Sequence, residues 1–346
     1  MNIDKETIHE RALELVFEDG HRVAPKLAKE FGVSRQVANG YLQTLTKNGL
    51  ISAEGSTQAR VYSLITLKEV ECKFQIDGLE EDVVWREQLA PAVADLQENV
   101  RDIWHYGTTE IINNAIDHSG SSEVRVGLRR NALFTEVWVD DDGEGIFLKI
   151  QRSLNLHDPR EAILELAKGK LTTAPQHHSG EGIFFTSRMM DAFDIQSGQL
   201  LFRHDQHIFD DLIERDVDAP GTLVLMRLAN KSTREMRVIF DEFSDPEEYT
   251  FDRTVVPIRL AQHEGEKLVS RSQAKRVAHR FERFKIVKLD FDGIEEIGQA
   301  FADELFRVFA TDHPNVRLIP INTSPGVAKM VRRALNVAAE ANQRAE

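Results

Sequence analysis

The chain has 346 residues, with 43 Lys and Arg against 57 Asp and Glu, so its formal charge at pH 7 is −14. A hydrophobic fraction of 41% with 20 Gly and 10 Pro excludes a disordered, collagen-like or linker-dominated chain, and the length allows two or three globular domains. The lone cysteine, Cys72, excludes an intrachain disulfide and a cysteine-built zinc site; with no apolar run near about 18 residues, a cytoplasmic protein without a membrane span is expected.

Net acidity argues against a protein that coats nucleic acid over its whole surface. Residues 1–66 are close to neutral and the acidity lies beyond them, so any DNA contact is expected in this N-terminal segment. There Ile8, Ala12, Leu15 and Val16 recur at helical spacing from Lys5 to Phe17, and Gly20 closes the helix. A second helix is expected from Ala24 to Phe31. Gly32 then turns the chain, and Ser34 caps a third helix with Val37, Tyr41, Leu42 and Leu45 on one side. Residues 51–65, ISAEGSTQARVYSLI, hold two short alternating runs around a Gly-Ser turn, the pattern of a hairpin. Three helices and a hairpin over 1–66 make a winged helix-turn-helix, and VAPKLAKEFGVSRQVANGYLQTLTKNGLI resembles the regulators built on it. The resemblance implies a recognition helix presenting Ser34, Arg35, Gln36 and Asn39 to base edges or phosphates, with Gln58 and Arg60 on the wing. Its implied partner is double-stranded DNA, bound by a homodimer.

Thr66 to Asp77 reads as an alternating strand within a connector over 67–84, and Trp85 to Asp117 as helical, with Pro91 able to start or kink it. Strands are expected at Glu123–Leu128 and Leu133–Val139, before an acidic glycine-containing loop. Residues 147–179 lack periodicity and read as a mobile insertion. A helix from Glu181 to Ala192 and strands near Asp194–Leu201 and Thr222–Leu228 complete an α/β sandwich over 85–232. In the last part, 249–346, strands around Val255–Leu260, Ile286–Phe291 and Val316–Ile321 alternate with helices at Ser270–Phe284, Glu295–Ala310 and Gly326–Ala341, a small α/β domain.

Three separated pieces of the middle segment carry the residue types that a magnesium nucleotide needs. In EIINNAIDHS, Glu110 and Asn114 stand four apart and share a helix face; an Asn oxygen suits magnesium, and the acid one turn earlier can polarise a nucleophile. In VDDDGEGI, a strand runs into Asp141, whose carboxylate can accept from an adenine amine, while Gly143 and Gly145 let backbone approach the ligand. In SGEGIFF, Ser179, Gly180 and Gly182 lead into a helix whose free N–H groups can bind phosphate, and Gly221-Thr222 later offers a hydroxyl to the adenine edge. Gly169-Lys170-Leu171-Thr172 lacks the Lys-Ser/Thr adjacency and earlier Gly of a P-loop.

In this order and spacing the pieces resemble the GHKL ATPase superfamily, over roughly residues 85 to 230. The resemblance implies a Bergerat-type sandwich binding ATP and magnesium. Glu110 takes the general-base position, Asn114 the magnesium ligand and Asp141 the adenine-reading acid, with Asp117, Ile146 and Thr222 completing the nucleotide contacts. It is closer to anti-sigma-factor serine kinases than to histidine kinases, because His105 lies inside the N-box helix and no phosphoacceptor helix is apparent upstream.

The last third resembles STAS-like domains through VKLDFDGIEEIGQAFADELFRVF and VRLIPIN. In that family a Ser or Thr after the strand is the phosphorylation target, and Gly293 to Gln299 contains neither; Glu295 and Glu296 are read instead as complementing a helix dipole. Lys267, Arg271, Lys275, Arg276, Arg280 and Arg283 are read as a solvated helix face. Together the modules imply an ATP-gated, DNA-binding transcriptional regulator whose STAS-like domain docks in cis or recruits a protein. The alternative is a serine/threonine protein kinase or ATPase acting on a protein partner, with Glu110 catalytic.

Overall fold

The computed structural model describes residues 5–56, 59–171, 180–205, 210–248, 250–262 and 266–343. The N-terminal unit is α1 (Lys5–Glu18), α2 (Val23–Phe31), α3 (Arg35–Lys47) and an antiparallel hairpin of β1 (Ile51–Glu54) and β2 (Val61–Leu64). Ile8, Ala12, Leu15 and Val16 are buried, as their spacing requires, and with Leu27, Ala38, Leu42, Leu45 and Ile51 they form a core of their own. The Tyr62 amide donates to Gly20 O at 3.0 Å, which sews the end of α1 to the hairpin.

The central unit is a five-stranded antiparallel sheet in the order β3-β4-β5-β7-β6, made of β3 (Lys68–Gln75), β4 (Glu123–Arg130), β5 (Phe134–Asp141), β6 (Ala192–Asp205) and β7 (Asp211–Ala229). Lys68–Gln75 is therefore more than a connector. It pairs with β4 along its whole length and turns Val70 and Phe74 toward the core while Glu69, Glu71 and Lys73 face out. Between β3 and β4 run α4 (Glu81–Val84), a π-helical turn at Trp85–Leu89, α5 (Ala90–Val93) and the long α6 (Glu98–His118), so the single expected helix is broken at 94–97. The expected insertion at 147–179 contains α7 (Ile146–Leu154) and α8 (Arg160–Lys168). Residues 162–168 of α8 are all buried, Glu165 and Lys168 included: its apolar face lies in the core, and its polar face, Glu161, Glu165 and Lys168 at helical spacing, is covered by Arg276, His279 and Arg280. α9 (Gly182–Met189) precedes β6, and α10 (Met236–Phe243) follows β7.

The C-terminal unit has three parallel strands in the order β10-β9-β8: β8 (Arg253–Pro257), β9 (Ile286–Asp290) and β10 (Arg317–Ile321). α11 (Arg271–Ala278) connects the first pair, with Ser270 and Gln273 forming a capping box. A second connection runs through α12 (Gln299–Asp303), a π-helical stretch at Glu304–Phe309 and α13 (Ala310–Asp312); α14 (Pro325–Gln343) follows β10. α12 starts at Gln299 with Gly298 as its cap, which leaves Glu295 and Glu296 in the preceding loop rather than at the helix end. Among the described residues no helix is long and apolar enough to cross a membrane.

The central and C-terminal units share one continuous core. Phe184 and Phe185 of α9 meet Phe251 at ring-centroid distances of 4.7 and 5.0 Å, and Phe251 meets Phe284 at 5.6 Å. The N-terminal unit docks on the outer part of the sheet: Phe17 lies edge-on to Phe134 at 4.9 Å, and the Arg227 guanidinium sits over both rings.

Between the two larger units lies a buried ion cluster. Glu165 accepts from Lys168 Nζ at 2.6 Å and from Arg280 Nη1 at 2.8 Å, and all three side chains are at most 3% exposed. Arg280 therefore does not belong to a solvated basic face; it projects into the contact with α8. Burial raises the Glu165 carboxyl, but Lys168, His279 and Arg280 overcome it and hold the group down at about 2. Because the folded value is depressed, the stabilisation is complete above about pH 4.5 and is lost only as pH falls through about 2. Glu165→Ala strands two buried cations and is expected to cost about 3–5 kcal/mol, read as a fall in urea midpoint; an unchanged midpoint would contradict this account of the cluster.

Candidate functional site

A helix repeats its face every four residues or so, and Glu110, Asn114 and His118 of α6 accordingly line one wall of a cavity of about 320 Å³. Strand β5 carries Asp141 into the same cavity at its carboxyl end, and α7 begins there with Gly145 and Ile146. Antiparallel pairing sets Thr222 of β7 directly opposite Asp141. Thr222 Oγ1 accepts from the Ile146 amide at 3.1 Å, which ties the start of α7 to the sheet. The remaining wall is Gly180 and Gly182, with Ile111, Val139, Ile150, Leu166 and Val224 among its apolar surfaces.

Asp141 is 6% exposed. Burial pushes its carboxyl up to about 6, against the opposing pull of the Gly143 amide, which donates to Oδ1 at 2.9 Å. The backbone is closely packed at this end of β5. Gly221 has φ +71°, and a Cβ there would stand 1.8 Å from Asp141 O, so only glycine fits. α9 also comes close to Glu110: a Cβ on Gly182 would lie 2.1 Å from Glu110 Oε2, so a larger residue there would displace the Glu110 carboxylate. One turn before Glu110, Tyr106 is kept protonated by burial, reinforced by the negative fields of Glu110 and Glu181.

Of the expected nucleotide contacts, Glu110, Asn114, Asp141, Gly145, Ile146, Gly180, Gly182 and Thr222 all line the cavity. Asp117 does not; it is exposed on another side of α6. Gly143 stands behind the wall, where a Cβ would meet Ser119 O at 2.0 Å. Ser179 lies outside the described residues. Lys149 was not foreseen: it lines the cavity from the second turn of α7 and donates to His118 O at 2.5 Å, at the carboxyl end of α6. The signal for it was the cation one turn into a helix that follows directly on the DDGEG loop.

In the N-terminal unit, Ser34 accepts from the Val37 amide at 3.2 Å and caps α3. Arg35, Gln36 and Asn39 are exposed on that helix, and Arg60 is exposed beyond β1; Gln58 lies outside the described residues. Val37, expected on the core side with Leu42 and Leu45, is 46% exposed, and Ala38 takes the core position. The outward face of α3 therefore carries an apolar contact among its polar groups.

The cavity can take a planar apolar group between its aliphatic walls, with Asp141 and Thr222 reading one edge. Asn114 brings to the cavity one side-chain oxygen of the kind magnesium takes; among the described residues no group of three His, Cys, Asp or Glu is arranged to hold a metal unaided. Comparison with protein families matches residues 273–328 to a STAS-like domain of unknown function (DUF4325), from α11 to the start of α14. No curated protein sequence matches the chain.

Because Asp141 binds its proton more tightly folded than unfolded, it contributes stability as pH falls through about 6 and loses it as pH rises. The Tm difference between Asp141→Asn and the ligand-free wild type, taken as variant minus wild type, is expected to grow from pH 5 to pH 8 in paired thermal melts. A constant difference would contradict the burial of an ionisable carboxylate at this position.

Proposed function

We propose that this chain is an ATP-binding, DNA-binding transcriptional regulator, in which a GHKL-type nucleotide site gates a winged helix and a STAS-like unit. The observation that carries the reading is the convergence of Glu110 and Asn114, Asp141, Gly145 and Ile146, Gly180 and Gly182, and Thr222 on one cavity. In this reading Asp141 accepts from the adenine amine, and the Thr222 hydroxyl, whose oxygen is already engaged by Ile146 N–H, donates to the adenine edge. Ile111, Val139 and Val224 enclose the base. Asn114 holds the magnesium ion, and the amides around Gly180 and Gly182, with Lys149, meet the phosphates. Glu110 takes a proton from the attacking water.

A second reading, a serine/threonine protein kinase or ATPase acting on a protein partner, is supported by the place of Glu110 on the cavity wall beside Gly182, in the part of the cavity that this reading gives to the phosphates. Both readings require Glu110 for chemistry and not for binding. Glu110→Gln is expected to retain nucleotide affinity within about threefold while lowering phosphate release by about 10²–10⁴-fold; undiminished release would remove Glu110 from that role.

The DNA half of the proposal draws on α3. Gly40 is exposed in the helix interior, and among the described residues nothing lies within 4 Å of a Cβ built on it, so no packing among them accounts for a residue that costs a helix about 1 kcal/mol against alanine. Close approach of a partner does account for it. Gly40→Ala is expected to raise the Tm and yet weaken duplex binding, and Arg35→Ala to weaken it with a shallower salt dependence. Fluorescence anisotropy with random-sequence and genomic duplexes at two salt concentrations reads both; absence of duplex affinity in every nucleotide state contradicts the DNA assignment.

A further inference from the structure

We infer that the cavity is a two-unit site: Arg280 of the STAS-like unit is a positioning residue that holds the cavity wall, so occupancy of the cavity and the state of the STAS-like unit are coupled through it. The ligand half of this inference rests on the nucleotide reading above; the mechanical half does not.

The wall segment after α8 has two sides. Leu166 and Leu171 line the cavity, and the residues between them grip the other unit. Arg280 Nη1 donates to Glu165 Oε2 at 2.8 Å, and Nη2 donates to Gly169 O at 3.0 Å and also to Lys170 O. Lys168 Nζ donates to His279 O at 2.9 Å and Arg276 O at 3.3 Å, capping the carboxyl end of α11 from outside its own unit. Thr254 Oγ1 donates to Lys168 O at 2.7 Å, and Lys170 Nζ donates to Arg283 O at 2.8 Å. Arg280 itself has φ 67°, a conformation rare for a side-chain-bearing residue and sustained where surrounding bonds over-determine it.

The grip continues to the chemistry-bearing side chain. Leu171 N donates to Gly180 O at 2.9 Å, and two residues later Gly182 abuts Glu110. A parallel route runs through α9, whose Phe184 lines the cavity on one side and packs on Phe251 on the other. Both routes end in the C-terminal unit, at residues 251–284. A ligand that draws Gly180 and Gly182 inward pulls on Arg280, and a protein that shifts α11 releases or tightens Gly180. Coupling of this kind is reciprocal for binding.

Arg280→Lys keeps the charge and removes the planar fork that serves Glu165 and two carbonyls together. In the full-length protein without nucleotide, amide exchange is expected to rise about tenfold in peptides covering 166–171 and 180–185, with β4 and β5 unchanged. Magnesium-ATP affinity, by calorimetry, is expected to fall at least about fivefold. Exchange that rises only around 273–284, or not at all, overturns the inference, as does unchanged affinity. Should Arg280→Lys fail to fold, Thr254→Val, which removes one hydroxyl bond to Lys168 O, carries the same exchange test and the same two outcomes. If the wild type binds no ATP, the nucleotide reading fails, and the exchange measurement still decides whether Arg280 holds the wall.

Discussion

Desolvation of the Asp141 carboxylate is the constraint around which the centre of this molecule is arranged. Its burial at the end of β5 raises its pKa to about 6, so at neutral pH the ligand-free fold carries an ionised group that burial disfavours. The Gly143 amide donates to its Oδ1, and the backbone packs tightly at the same strand end, with glycine at 221 because any Cβ would strike the Asp141 backbone carbonyl and Thr222 opposite in the strand pair. In the proposed reading, an acid kept at a cost to stability on the wall of a cavity lined by both polar and aliphatic side chains is explained by what it binds.

The second organising fact is the absence of a clean division between the central and C-terminal units among the described residues. They share a core, and the Glu165, Lys168 and Arg280 cluster is buried between them. The N-terminal unit is different. Its core is separate, and it meets the sheet through Phe17, Phe134 and Arg227 and an exposed ion pair between Glu6 and Lys231. In the proposed reading this contact is the loose joint through which a nucleotide state reaches α3, while the STAS-like unit is welded to the cavity wall.

The sequence was most informative where a local pattern and a chemical need coincided. Ile8, Ala12 and Leu15 mark α1 because one helical face packs on one core, and Glu110 with Asn114 could be placed on one face of α6 from spacing alone. It was least informative where partners distant in the chain decide the burial. α8 keeps a helical pattern, but the partners of its charged face, Arg276 and Arg280, stand more than a hundred residues on, so the segment reads as an insertion and the salt-bridged Arg280 as one more member of a basic face. Val37 could be exchanged with Ala38 because both are apolar and neighbouring, and only packing decides which turns inward. The alternation of β3 marks it as a strand, but not as part of the central sheet: its partner in β4 lies some fifty residues away in the chain, beyond the reach of local reading. The outer half of β7, Asp211 to Ala219, is polar and pairs with β6 all the same.

The central claim is that the cavity is a nucleotide site with Asp141 as its base-reading group. Calorimetric titration of magnesium-ATP into full-length wild type and into Asp141→Asn tests it most directly. The account predicts one nucleotide bound per wild-type chain and no detectable binding by a folded Asp141→Asn. Absence of binding by the wild type, or equal binding by both proteins, would contradict it.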